Sequence, residues 1–137
     1  MLNLNGMAVE VGVGTGDYSE AILKNGRFST VYSVDSWLEF DREVYKDMNN
    51  VPQKEQDKRY RFVLKRLRRF GKRNSVLRMA SEQAVTLFKD DTLDFIYVDA
   101  NHSYEVCKKD MELWWPKLRE GGIFAGHDFL DGKLPTG

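Results

Sequence analysis

Short apolar runs alternate along the chain with longer amphipathic stretches, the pattern of a parallel sheet covered by helices on both faces. Met7 to Val13 reads as a first buried strand, followed by a glycine-rich turn and a helix from about Asp17 to Asn25, where Gly26 suits the C-terminal stop. Thr30 to Val34 reads as a second strand ending at Asp35, and Ser75 to Met79 as a third, preceded by the turn-like Gly71 to Asn74 and followed by a helix over Glu82 to Phe88. Leu93 to Val98 is apolar except for Asp94, as expected of a central strand, and ends at Asp99. The spacing of Val106, Met111, Leu113, Trp114 and Leu118 predicts a helix over Tyr104 to Leu118, whose last turns Pro116 should kink or shorten. Glu120, Gly121 and Gly122 make a turn into a fifth strand, Ile123 to Gly126. The class is α/β.

Between the second and third strands lies a polar insertion, Leu38 to Arg73, whose second half carries Arg59, Arg61, Lys65, Arg66, Arg68, Arg69, Lys72 and Arg73. Tyr60, Val63, Leu64 and Leu67 give it a narrow apolar stripe, so an amphipathic helix packed on the sheet with a solvated basic face is expected. That reading is preferred to a nucleic-acid site because 21 basic residues face 21 acidic ones, and the neutral total supplies no global field toward nucleic acid or an anionic membrane. With 137 residues and 42% hydrophobic composition, residues 1–137 are expected to form one domain. One cysteine, Cys107, excludes an intramolecular disulfide, no apolar run approaches bilayer length, and the N-terminus lacks a signal-peptide pattern. A reducing, cytoplasmic setting is the expectation, with Cys107 an ordinary helix thiol.

The strongest local signal is Glu10-Val-Gly12-Val-Gly14-Thr-Gly16, between an apolar strand and a helix that opens with Asp17 and Ser19. Glycines there let the backbone turn sharply and approach a ligand closely. A dinucleotide fingerprint wants G-x-G-x-x-G, but the third glycine arrives one residue too soon and Asp17 would oppose a pyrophosphate. No Gly-Lys-Ser/Thr follows, which excludes a P-loop. Asp35, about twenty residues past the loop, has the chemistry to accept hydrogen bonds from both hydroxyls of a ribose, a reading preferred to a helix cap because of that spacing. Trp37 fits either a stack on an adenine or the core.

Ala8 to Leu23, with Asp35, resembles motifs I and II of class I S-adenosylmethionine-dependent methyltransferases. The resemblance implies an enzyme with a Rossmann-like, mostly parallel sheet, here without the last two strands of the family fold. It implies that Glu10, Gly12, Gly14 and Gly16 hold the methionine portion of S-adenosylmethionine and Asp35 its ribose. Residues after the third strand, Ala80, Ser81 and Glu82, would contact the adenine.

From Leu93 onward, LDFIYVDANHSYEVCKKDMELWWPKLREGGIFAGHD resembles sugar and small-molecule O-methyltransferases, pairing D-x-x-H (Asp99, His102) with a G-H-D (His127, Asp128) after the fifth strand. All four fall at carboxyl ends of parallel strands, the ligand-binding edge of open α/β sheets. Moving a methyl group from a sulfonium to an alcohol requires the hydroxyl proton to be removed or its oxygen to be bound by a cation. The resemblance makes His102 the base and Asp99 and Asp128 ligands of a Mg²⁺ or Mn²⁺ ion, with His127 as a third ligand where relatives have a carboxylate. Structural roles for the same residues are a helix cap at Asp99 and loop hydrogen bonds at His127 and Asp128. Trp114 is expected in the core, and Asp110 is assigned no chemistry. The expected acceptor is a small-molecule or sugar hydroxyl, and an uncovered sheet edge allows a homo-oligomer. Two alternatives stand beside this reading: a non-catalytic S-adenosylmethionine- or nucleotide-binding module, and a dinucleotide-dependent oxidoreductase.

Overall fold

The structure is a computed structural model that describes residues 3–99 and 104–126. Five parallel strands, β1 (Met7–Val11), β2 (Thr30–Asp35), β3 (Asn74–Arg78), β4 (Leu93–Val98) and β5 (Leu118–Gly126), stand in the order β3-β2-β1-β4-β5. The helices are α1 (Asp17–Asn25), α2 (Gln53–Leu67), the single-turn α3 (Ser81–Ala84) and α4 (Tyr104–Trp114). Strand order reverses between β1 and β4, so the chain leaving β1 and the chain leaving β4 turn opposite ways and open a crevice at their carboxyl ends. Among the described residues no helix is long and apolar enough to cross a membrane.

The period-two alternation of the strands divides the core in two. Val9 and Val11 of β1 and Leu93, Ile96 and Val98 of β4 point to one face, where Ala84, Val85 and Trp114 cover them. Ala8 and Val31 point to the other, under Ile22 and Leu23 of α1 and Val63 and Leu67 of α2. Val9, Val31, Val63, Leu67, Ile96 and Trp114 are fully buried. Each such aliphatic side chain removed from water contributes about 1.5–3 kcal/mol. Asp94, the charged residue in an otherwise apolar strand, is buried and satisfied: it accepts from the Gly6 amide at 2.8 Å and from Arg119 Nε at 2.9 Å, fastening the N-terminal segment and β5 to β4.

Several boundaries differ from the sequence expectation. β1 stops at Val11 because Gly12 adopts φ 93°, which no strand continues through. The helix expected over Glu82 to Phe88 is one α-turn followed by a 3-10 turn, Val85–Leu87. The next helix ends at Trp114, where Pro116 converts it to a 3-10 turn, Trp115–Lys117. β5 starts at Leu118, ahead of the expected turn: Leu93 pairs with Leu118 and Phe95 with Ile123, so Arg119 to Gly122 bulge out between them, with Gly121 at φ 79°. Leu64, placed on the buried stripe of α2 by its spacing, is 40% exposed.

Candidate cofactor site

Backbone geometry builds the site first. Gly12, Gly14 and Gly16 all have positive φ, at 93°, 60° and 85°, which favours glycine at each. Their surroundings differ: a β-carbon on Gly14 would meet nothing within 4 Å, whereas one on Gly16 would lie 3.3 Å from Val63 Cγ2. Gly14 therefore faces open space and Gly16 lets α2 pack closely on the start of α1. Asp17 in the first turn of α1 is held by Arg66 Nη1 at 2.6 Å, and the same guanidinium donates through Nε to Glu20 at 2.6 Å. Arg66 holds the carboxyls of both Asp17 and Glu20 below the usual range, Glu20 down to about 2.

Asp35, at the end of β2, clasps the loop from the side. Its Oδ2 accepts from the amides of Val13 at 3.0 Å and Gly14 at 2.9 Å, and its Oδ1 accepts from the Trp37 amide at 2.8 Å. A carboxylate offers about four acceptor positions, so Oδ1 keeps capacity for a ligand hydroxyl. Trp37 has φ 45°, is 1% exposed, donates its indole N–H to Gly14 O at 2.9 Å and packs against Tyr60. It is a core residue that braces the loop, and the stacking alternative is closed to it.

Beneath the loop, Glu10 is buried and accepts a hydrogen bond from Ser19 Oγ, which lies 2.7 Å from Ser33 Oγ. Burial, with the neighbouring charges of Asp99 and Asp35, pushes the Glu10 carboxyl up to about 8 against the lowering by Ser19. The carboxyl ends of β1, β2 and β4 thus gather three acidic groups, an environment that favours a cationic ligand.

Two adjoining chambers open over these strand ends and share Gly12, Gly14, Asp35, Asn49 and Arg59. The larger, about 590 Å³, is the more polar of the two, with Thr15, Asp99, Lys46, Asp47 and Met48 in its wall. The smaller, about 330 Å³, is more apolar, bounded by Val34, Leu38, Phe40, Met79 and Val106, with Ser81 and Asp110 at one side. Ser81 Oγ donates to Asp110 at 2.6 Å and accepts from Trp114 Nε1 at 2.8 Å. Burial raises the Asp110 carboxyl above its usual range.

A family model described as a methyltransferase domain matches residues 9–129. The chain belongs to that family. No curated protein matches it. Among solved structures this methyltransferase domain is similar to a candidate S-adenosyl-L-methionine-dependent methyltransferase of Methanococcus maripaludis, at 16% identity and TM-score 0.60 over 91% of this chain and 50% of that one. It is also similar to spermidine synthase of Thermotoga maritima, at 15% identity and TM-score 0.61 over 90% of this chain and 38% of that one. An rRNA methylase of Streptococcus thermophilus matches at 13% identity and TM-score 0.60 over 98% of this chain and 68% of that one. These likenesses concern the fold, and the chain spans half or less of the first two structures.

The methyltransferase domain brings Gly12, Gly14, Asp35, Ser81 and Asp99 to one cleft. Glu10 lies under that cleft, and Gly16 serves helix packing instead of lining it. His102, His127 and Asp128 lie outside the described residues. Among the described residues no group of three His, Cys, Asp or Glu side chains converges to hold a metal ion. Sequence reasoning missed Arg59, Asn49 and Asp110. Arg59 was one cation in a run of them, and only the placement of α2 distinguishes it. Asp110 was one polar residue of an amphipathic helix, and its burial follows from α4 lying against α3.

Proposed function

We propose that this domain binds S-adenosylmethionine across the two chambers and transfers its methyl group to a hydroxyl of a small molecule or sugar. The observation that carries the reading is Asp35, which joins the positive-φ glycine loop to the boundary between an apolar and a polar chamber. In this reading Val34, Met79, Leu38 and Phe40 enclose the adenine, with Asp110 beside them as an acceptor for its amine. Asp35 Oδ1 takes a ribose hydroxyl. Arg59, which makes no hydrogen bond or ion pair among the described residues, faces the carboxylate of the amino-acid portion. The charges of Asp35 and Asp99 favour the ammonium and sulfonium groups, while Glu10 below them keeps its proton up to about pH 8.

S-Adenosylmethionine supplies a methyl group on positively charged sulfur. The chain's part is to align an acceptor oxygen behind that methyl and to take its proton. His102, three residues past Asp99, is assigned as the base: the O–H bond breaks toward its imidazole, the oxygen–methyl bond forms, and the sulfur leaves as a neutral thioether. Asp99, with His127 and Asp128, is the candidate ligand set for a Mg²⁺ or Mn²⁺ ion that would lower the acceptor pKa.

Calorimetric titration with S-adenosylmethionine and S-adenosylhomocysteine, with and without Mg²⁺ or Mn²⁺ and with reduced nicotinamide cofactor as control, tests the cofactor assignment. Micromolar binding of the adenosyl ligands alone supports it, and binding of the nicotinamide cofactor instead overturns it. His102→Ala is expected to leave S-adenosylhomocysteine binding within about twofold while lowering turnover by about 10²–10⁴. Unchanged turnover removes His102 from the mechanism.

A further inference from the structure

The neutral total charge conceals a segregation on α2. No acidic residue occurs between Lys58 and Ser81, and several basic side chains in that stretch are engaged by the domain itself. Arg66 pairs with Asp17 and Glu20, and Arg69 reaches Glu20 at 3.3 Å. Arg73 donates to the carbonyls of Leu23, Gly26 and Phe28 at the end of α1, and Arg78 binds Asp57. Apart from Arg59 at the chambers and Lys72 beyond the helix, Lys58, Arg61, Lys65 and Arg68 remain, and Lys54 precedes them by one turn beside Glu55 and Asp57; all five are exposed and none makes a hydrogen bond or ion pair among the described residues. Their spacing of four, three, four and three residues puts them in one row along the helix. At 3.6 residues per turn that row is opposite the buried Gln56, Val63 and Leu67, facing away from the sheet. It extends for about 21 Å at 1.5 Å per residue. Phe62, 52% exposed, stands beside the row.

From this we infer that the outer face of α2 docks a single strand of nucleic acid, separate from the cleft and from any ligand bound there. A straight row of exposed cations, of which Arg61 alone feels the nearby Asp57 carboxylate, complements a phosphate backbone. Phe62, exposed beside the row with the Arg66 guanidinium 5.9 Å from its ring centroid, offers a surface on which a base can stack. The apolar face of α2 is already buried in the core, so the helix cannot lay that face into a membrane. Because the row points away from the chambers, the proposal does not rest on the methyl-transfer reading.

Fluorescence anisotropy with a labelled 16-residue oligouridylate tests it. Micromolar binding in 50 mM KCl is expected, with log K falling against log salt at a slope of roughly −3, as about four released counterions require for a single strand. The triple variant K58E/R61E/K65E should weaken binding at least tenfold while leaving S-adenosylhomocysteine affinity as it is in the parent protein. K58Q/R61Q/K65Q should act in the same direction and serves if the charge reversal does not fold. Phe62→Ala should weaken binding several-fold without changing the salt slope. Folded protein that ignores the oligomer, or equal affinity in the charge variants, overturns the proposal. So does tighter binding to phosphatidylserine vesicles that the same charge variants abolish.

Discussion

At the scale of single residues, Glu10 sets a measurable pH dependence. Its carboxyl ordinarily titrates near 4.5 and is pushed to about 8 in the fold by burial, with Asp99 and Asp35 adding to the effect. Between those values the folded protein keeps a proton that the unfolded chain has released. The associated stability is fully present below about 4.5, declines as pH rises, and is gone above about 8. One retained proton changes the unfolding constant by about tenfold per pH unit. Glu10→Gln keeps the shape and can still accept from Ser19, but it cannot ionise. The stability difference between variant and parent should therefore move in favour of the variant by a few kcal/mol from pH 5 to pH 8. Urea denaturation at both values measures it, and a difference independent of pH would mean that Glu10 is ionised in the fold.

Elements, rather than residues, separate the roles of two glycines with similar backbone angles. Alanine at either position carries a left-handed cost of about 1–2 kcal/mol. At Gly16 the new methyl also presses on Val63 across the α1–α2 contact, whereas at Gly14 it projects into open space beside the chambers. Gly16→Ala should thus lower the denaturation midpoint more than Gly14→Ala, and Gly14→Ala should cost more S-adenosylhomocysteine affinity than Gly16→Ala. Equal behaviour of the two would refute this division. Much of this arrangement was legible in the sequence: the apolar runs at Met7, Thr30 and Leu93 and the glycines between strand and helix placed the loop and Asp35 correctly. What was not legible depends on contacts between distant elements. The stretch from Leu38 to Pro52 has no helical or strand period, and it is shaped by side-chain amides that replace backbone pairing. Asn50 accepts from the Phe40 amide and donates to the Phe40 and Tyr45 carbonyls, while Gln56 holds Asn49 O and Gln53 holds Trp37 O. A bulge likewise hid the start of β5, since its glycines read as a turn until β4 was beside them.

Across the whole molecule, the cleft is built from segments far apart in sequence: the loop after β1, the end of β2, the amide-clamped segment with Arg59 of α2, the start of α3, the end of β4 and one face of α4. The strand ends are anchored by the sheet, but the segment before α2 has few buried apolar side chains and many exposed ones, among them Val44 at 84% and Met48 at 94%. Such a segment belongs to the low-stability end of the fold, opening far more often than the core does. A ligand that touches both the loop and this segment stabilises only the closed arrangement and shifts the population toward it. Hydrogen exchange should therefore show that S-adenosylhomocysteine protects amides of residues 38–50 at least as much as those of residues 12–16, with β1 and β4 unchanged because they are already slow. Protection confined to the glycine loop would show that the segment is not a wall of the site. The assignment of Arg59 would then fall with it, since Arg59 enters the chambers from the helix that this segment leads into.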